Sequence, residues 1–148
     1  MFLSNRNSKI IYASLLSISL ISGFIISTSA SATSSPVIKV APAKALKNGQ
    51  KITVTGSGFV PKDSVYIVEC LANAQGQADC NTAGAVPATI DAKGKLHATA
   101  FVVATGKIGS KTCGTTKADA NACDISVGNA TGGDSTTKAI SFAVKSKK

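Results

Sequence analysis

The sequence predicts an all-β protein, a seven-stranded immunoglobulin-like Greek-key sandwich held by two disulfides. Three observations carry that expectation. Beyond residue 32 the chain reads as short runs of alternating apolar and polar residues, separated by turn residues at the roughly 8–12 residue spacing of all-β sandwiches. No segment carries an apolar stripe at the helical period. Four cysteines, Cys70, Cys80, Cys113 and Cys123, follow a leader suited to export, in two pairs each ten residues apart.

The leader comes first. Arg6 and Lys9 are the only charged side chains before Lys39. Ile10 to Ile26 is apolar but diluted by Ser14, Ser17, Ser19 and Ser22, and Ser27-Thr28-Ser29-Ala30-Ser31-Ala32 follows directly. A basic start, an apolar middle and an Ala-x-Ala site describe a signal peptide. Residues 1–32 are expected to be cleaved after Ala32, leaving 33–148 as one secreted domain. The apolar stretch, 17 residues long, is near the short limit for a bilayer span; the alternative is an uncleaved membrane anchor, but the diluting serines and the Ala-x-Ala site favour cleavage, after which no stable membrane association is expected.

The strands follow in order. Val37-Ile38-Lys39-Val40 is the first, ended by Pro42, and Lys47-Asn48-Gly49 is a turn. Gln50 to Ser57 alternates, with Ile52 and Val54 on one face and Lys51, Thr53 and Thr55 on the other. Gly56 and Gly58 mark a bulge or bend. Pro61-Lys62-Asp63-Ser64 turns the chain. Val65 to Leu71 is apolar on both faces, which suits a central strand, and a weaker run lies near Ala85–Ile90. Asp91-Ala92-Lys93-Gly94 is a tight hairpin turn. Lys95 to Val103 is a long strand, with Leu96, Ala98, Ala100 and Val102 on one side and His97, Thr99, Phe101 and Val103 on the other. Asp124 to Gly128 sends Ile125 and Val127 inward and Asp124 and Ser126 outward. Asn129 to Asp134 is a Gly-rich loop. Lys138 to Lys145 closes the domain, with Ile140, Phe142 and Val144 on the core face.

The 116 residues of the mature chain hold only four aromatics, Phe59, Tyr66, Phe101 and Phe142, and no tryptophan. The core must rely on Val, Ile, Ala and Leu. Disulfides offset such a thin core, each loop of about ten residues contributing on the order of 2–3 kcal/mol in the chain-entropy argument. Four cysteines allow three connectivities. Pairing of neighbours requires only that each short segment fold back, with Gln75-Gly76 as a turn midway in the first. His97 is the only histidine and no Cys-x-x-Cys occurs, so no metal centre is expected.

Charge narrows function further. The mature chain carries 14 lysines, seven acids and no arginine, a net charge of +7. Arginine is the residue that forks onto guanine and phosphate. A surface of lysine alone attracts polyanions diffusely, so at most weak, non-specific direct contact with DNA is expected. Glu69 is the only glutamate and reads as a cross-strand partner for a lysine. His97 reads as a solvated strand residue. No nucleophile, base and acid fall together in any pattern that suggests catalysis, so the chain is not expected to be an enzyme.

Asn48-Gly49-Gln50-Lys51-Ile52-Thr53-Val54-Thr55-Gly56-Ser57-Gly58-Phe59 resembles the second strand of the neocarzinostatin–macromomycin family. So does Val65-Tyr66-Ile67-Val68-Glu69-Cys70, with a second cysteine ten residues on. Asp91-Ala92-Lys93-Gly94-Lys95 is similar to that family's Asp-Ala-x-Gly hairpin, and Cys123 to Phe142 to its last pair of strands. The resemblance covers nearly the whole mature chain. It implies a secreted apoprotein of the enediyne chromoprotein type, with a seven-stranded sandwich and two neighbour-paired disulfides, Cys70–Cys80 and Cys113–Cys123. It implies a monomer without a conventional cofactor that holds a small apolar chromophore non-covalently. DNA would be reached through that ligand.

The resemblance also places the cleft beside the first disulfide. Cys70 and Cys80 would form one wall, and Asp124, Ser126 and Gly128 the outward-facing positions after the fourth cysteine. The positions where the family member with the bulkiest chromophore stacks aromatic rings read Ala72 and Ala85-Val86 here. The hairpin between the Phe101 strand and Cys113 is cut to Ala104–Thr112, without an aromatic, and the second disulfide loop is longer than the family's usual one. Each missing ring contact removes about 0.5–1.5 kcal/mol beyond lost area. Two further functions fit the composition: an interaction scaffold that has lost its ligand, and a cationic toxin acting at DNA or a membrane. The absence of a basic amphipathic helix counts against the membrane version.

Overall fold

The computed structural model describes residues 35–144. The leader, its expected cleavage site after Ala32, and Lys145, Lys147 and Lys148 lie outside the described residues. Among the described residues nine strands form: β1 (Val37–Ala41), β2 (Lys51–Ser57), β3 (Ser64–Leu71), β4 (Val86–Thr89), β5 (Lys95–Val102), β6 (Gly106–Ile108), β7 (Lys111–Cys113), β8 (Cys123–Gly128) and β9 (Thr136–Ile140). Seven of them are the expected strands, in two antiparallel sheets ordered β1-β2-β5 and β4-β3-β8-β9. The other two, β6 and β7, pair as a separate ribbon in the segment read above as a shortened hairpin.

The inner faces of the two sheets make the core. Ile38, Ile52, Val54, Leu96 and Phe101 come from the three-stranded sheet, and Val65, Ile67, Ile125, Val127 and Ile140 from the other. Phe59 and Phe142 are buried with them, so three of the four aromatics are core residues. Both disulfides join neighbours, Cys70 to Cys80 and Cys113 to Cys123.

Three local details differ from the strict alternation of the sequence. On β5, Leu96 and Phe101 are both buried although they have opposite parity. The register explains it: Val54 faces Thr99 and Gly56 faces Leu96, so β5 accommodates an extra residue opposite Thr55. A bulge of this kind flips every side chain beyond it. The last strand stops at Ile140 instead of running to Lys145. Phe142 then forms an isolated parallel bridge with Leu46, and the bonds Ser141 N–H to Ala43 C=O, Leu46 N–H to Ser141 C=O and Ala143 N–H to Leu46 C=O tie this segment to the β1–β2 connection. Finally, Gln75-Gly76 is not a hairpin turn. It precedes a 3₁₀ turn over Gln77–Asp79, followed by another over Thr82–Gly84.

The Asp91–Gly94 turn forms as expected. Asp91 Oδ1 accepts from the N–H groups of Lys93 (2.7 Å) and Lys95 (2.9 Å), and Gly94 takes φ +74°. A Cβ there would lie 2.5 Å from the Phe59 carbonyl oxygen, so both backbone sign and space demand glycine. The long second disulfide loop is closed by Asp119. One carboxylate oxygen accepts the Thr112 and Thr115 hydroxyls (2.6 Å each), the other the N–H groups of Thr115 (2.8 Å) and Thr116 (2.6 Å). These bonds, the Thr112 hydroxyl foremost, hold the Asp119 carboxyl well below the usual range.

Candidate functional site

β3 is the centre of the four-stranded sheet and alternates two functions along its length. Val65, Ile67, Glu69 and Leu71 face the core; Tyr66, Val68 and Cys70 face outward. That is why the strand is apolar on both faces. β8 repeats the pattern, with Ile125 and Val127 buried and Asp124, Ser126 and Gly128 turned out. The register sets Cys70 opposite Asp124, Val68 opposite Ser126 and Tyr66 opposite Gly128. These six residues form one floor, carried on the two central strands of a sheet.

Two loops wall the floor into an open cleft of about 950 Å³. One is the 72–85 segment, folded back by the Cys70–Cys80 disulfide. It is anchored by Asn81 N–H to Glu69 C=O (2.8 Å) and internally by Gln75 N–H to Asp79 Oδ2 (3.0 Å). The other is the β8–β9 loop. Asn129 donates from Nδ2 to Asp63 Oδ2 (2.9 Å), and Asp134 Oδ2 accepts the Val60 N–H (2.9 Å). Both walls are therefore tied down before any ligand arrives.

Of the eight positions expected in the cleft, Cys70, Cys80, Ala85, Asp124, Ser126 and Gly128 line it, and Ala72 and Val86 do not. Val86 pairs with Ile67 on β3 and packs against the core; strand alternation turns its neighbour Ala85 to the cleft instead. Ala72 lies just past the end of β3, half-buried, where its N–H donates to the Ala122 carbonyl (2.8 Å). Tyr66 and Val68 were missed as cleft residues. Counting back in twos from Cys70 would have found them. Tyr66 is 46% exposed, so the floor does carry one aromatic ring.

Of the described residues that line the cleft, Asp124 is the one with a charged side chain. Among the described residues its carboxylate has no hydrogen-bond or ion-pair partner. Partial burial pushes its carboxyl up from the ordinary carboxylate value.

Glu69 departs from its expected role as a surface partner for lysine. It is fully buried. Oε2 accepts the Ala104 N–H at 2.8 Å, and Oε1 lies 3.5 Å from the Cys113 sulfur. Among the described residues no cation pairs with it; the single ion pair there joins His97 to Asp91. Burial pushes the Glu69 carboxyl up to about 7, which favours the neutral acid. Glu69, Cys113 and Cys123 bring three potential metal-ligating atoms within 4.8 Å of one another. Both sulfurs are committed to the disulfide, so the group offers no thiolate, the form that binds metal. His97 is far from this chemistry: on the other sheet, 76% exposed, its Nε2 3.0 Å from Asp91 Oδ2.

The model of the Neocarzinostatin family matches residues 38–142 of this chain. Actinoxanthin and the antitumor antibiotic C-1027 apoprotein, both from Streptomyces globisporus, are each 35% identical over 102 residues, covering 66% of this chain and 70% of each relative. Macromomycin from Streptomyces macromomyceticus is 29% identical over 126 residues, 82% of this chain and 86% of its own. The solved structure of macromomycin superposes with a TM-score of 0.56 at 27% identity, spanning 73% of this chain and 99% of its own.

Proposed function

The chain belongs to the neocarzinostatin family, and from that premise we propose that it is a carrier apoprotein for a small apolar chromophore of the enediyne type. On this reading residues 1–32 are removed at export and the secreted monomer holds its ligand non-covalently. The protein shields the ligand from water, and DNA is reached through the released ligand. The chain itself catalyses nothing.

The observation that supports this reading best is the cleft over β3 and β8. Its floor offers Tyr66, Val68 and the Cys70–Cys80 disulfide. Its volume of about 950 Å³ falls within the range of small-molecule sites. A ligand that buries about 250 Å² of apolar area there gains roughly 6 kcal/mol at about 25 cal/mol per Å². Walls already tied by a disulfide and by Asp63, Asp79 and Asp134 cut the cost of ordering the site. Polar groups at the rim, such as Gln75, Asn129 and Thr131, would orient the ligand without sealing it in, which suits later release.

Native mass spectrometry of secreted protein, kept in the dark and under mild conditions, is expected to show a bound compound. The apo form is expected to take up an uncharged aromatic polyketide such as daunomycinone, and Val68→Trp, which fills the floor, to lose that uptake. Protein that carries no compound and takes up none would overturn the carrier reading and leave a sandwich used as an interaction scaffold.

A further inference from the structure

We infer that the outer face of the three-stranded sheet is a docking site for a linear polyol phosphate, a phosphodiester polymer without bases, with Lys39, Lys95 and His97 receiving a phosphate group. The face lies on the opposite side of the sandwich from the cleft. The inference goes beyond the carrier reading, and its failure would leave that reading intact.

Charge is divided unequally between the two sheets. β1, β2 and β5 carry three lysines, a histidine and no acid. β3, β4, β8 and β9 carry one lysine and two acids, Glu69 and Asp124. Lys39, Lys51, Lys95 and His97 are all exposed on the outer side of their sheet. The bulge shapes this face. Thr55 has both His97 and Ala98 opposite it, and both are exposed, so the strand bends there. The result is a depression of about 400 Å³. Lys39 pairs with Thr55 across β1 and β2, and Lys95 with Ser57 across β5 and β2. All four line the depression, so two ammonium groups flank two hydroxyls. Among the described residues neither lysine has an ion pair. Asp91, at the hairpin turn, is already engaged, its Oδ2 3.0 Å from His97 Nε2 and its Oδ1 accepting the N–H groups of Lys93 and Lys95.

The occupant follows from what the face offers and lacks. Its outward positions hold no arginine, phenylalanine, tyrosine or tryptophan. Arginine forks onto base edges and aromatic rings stack bases, so nothing here reads a nucleobase. Lysine and hydroxyl groups serve the phosphate backbone alone. The charge also extends beyond one phosphate. Lys51 and Ser57 stand at the two ends of β2, about 20 Å apart at about 3.4 Å per residue, and Lys93 is exposed at the turn before Lys95. A linear chain of phosphates follows this track, where a single small anion would leave most of it empty. Duplex DNA fits less well. The cleft opens on the far side, so a duplex held here would keep the cleft turned away from it, whereas a polymer docked here leaves the cleft open.

Fluorescence anisotropy with labelled poly(glycerol phosphate) and the mature, disulfide-bonded protein measures the docking. Lys39→Ala with Lys95→Ala is expected to weaken binding about tenfold. Lys107→Ala with Lys111→Ala, which removes the same charge from the β6–β7 ribbon, is expected to change it by less than about twofold. An unchanged thermal midpoint shows each double variant to be folded. A second measurement needs no variant: backbone amide shifts of the unaltered protein are expected to cluster at Lys39, Thr55, Ser57 and Lys95 as polymer is added. Duplex DNA at equal phosphate concentration is expected to bind more weakly and to respond alike to both double variants. No binding of the polymer, equal losses from the two double variants, or shifts scattered over lysines at large would overturn the inference. So would tighter binding of DNA that depends on Lys39 and Lys95.

Discussion

Cys70–Cys80 and Cys113–Cys123 each join residues ten apart, and loop-closure entropy assigns the two bridges the same stabilisation, on the order of 2–3 kcal/mol. Their surroundings differ. The first bridge forms a wall of the cleft, with Cys80 half-buried. The second has both cysteines at 0% exposure and lies against the carboxyl of Glu69. Equal spacing in sequence thus serves two ends, a shaped surface in one case and a filled interior in the other. Burial, which spacing does not encode, makes the distinction.

The sharpest way to test that contrast is to delete each bridge. Cys113→Ala with Cys123→Ala is expected to cost about 4 kcal/mol or more, because cavity loss adds to chain entropy. Cys70→Ala with Cys80→Ala is expected to stay near the entropic 2–3 kcal/mol but to abolish uptake of daunomycinone. Denaturant unfolding and fluorescence titration measure the two effects. Equal stability losses would erase the distinction.

Glu69 gives the buried side a pH signature of its own. Its carboxyl rises from 4.5 to about 7 on folding, so the folded chain keeps a proton that the unfolded chain releases between those values. The stability this affects is intact below about pH 4.5, declines as pH rises toward 7 and stays low above it. At about 1.4 kcal/mol per pKa unit, the loss is on the order of 3 kcal/mol. Glu69→Gln keeps an acceptor for the Ala104 N–H and is expected to flatten this slope, so that the variant is the more stable protein at pH 8. An unchanged slope in denaturant midpoints between pH 4 and 8 would remove Glu69 from the account.

The smallest contrast lies between two glycines. Gly114, beside the buried bridge, has φ +66°, and a Cβ there would lie 2.5 Å from the Phe142 ring. Gly76, in the cleft loop, is extended with nothing within 4 Å of its Cβ position. Gly114→Ala is expected to cost about 2 kcal/mol, and Gly76→Ala to stay within about 0.5 kcal/mol, both read from thermal unfolding.

Much of this was legible in the residues. Period-two alternation placed Ile52, Val54, Ile125 and Val127 in the core and turned Asp124 and Ser126 outward, because a half-buried strand has no other way to satisfy that pattern. It failed on β5, where the bulge opposite Thr55 changes parity and no residue type announces it. The resemblance placed Val86 in the cleft where the fold packs it against the core, because a shift of one position decides core or cleft. Tyr66 was within reach of alternation, since it lies four residues before Cys70 on the same face of β3. Glu69 was not. A lone glutamate in a strand reads as surface, and only the fold brings Ala104 and Cys113 to it.

The segment after β9 exchanges bonds with residues 43 and 46, and Phe142 N–H reaches the Ala120 carbonyl (2.9 Å). Through these few residues the start, the middle and the end of the domain are buttoned together at one point. Tension on the carboxy-terminal end would fall on that fastening before it reached either sheet. Trimming the chain back to Ile140 would therefore loosen the closure of the whole sandwich, where trimming an ordinary tail would only shorten it.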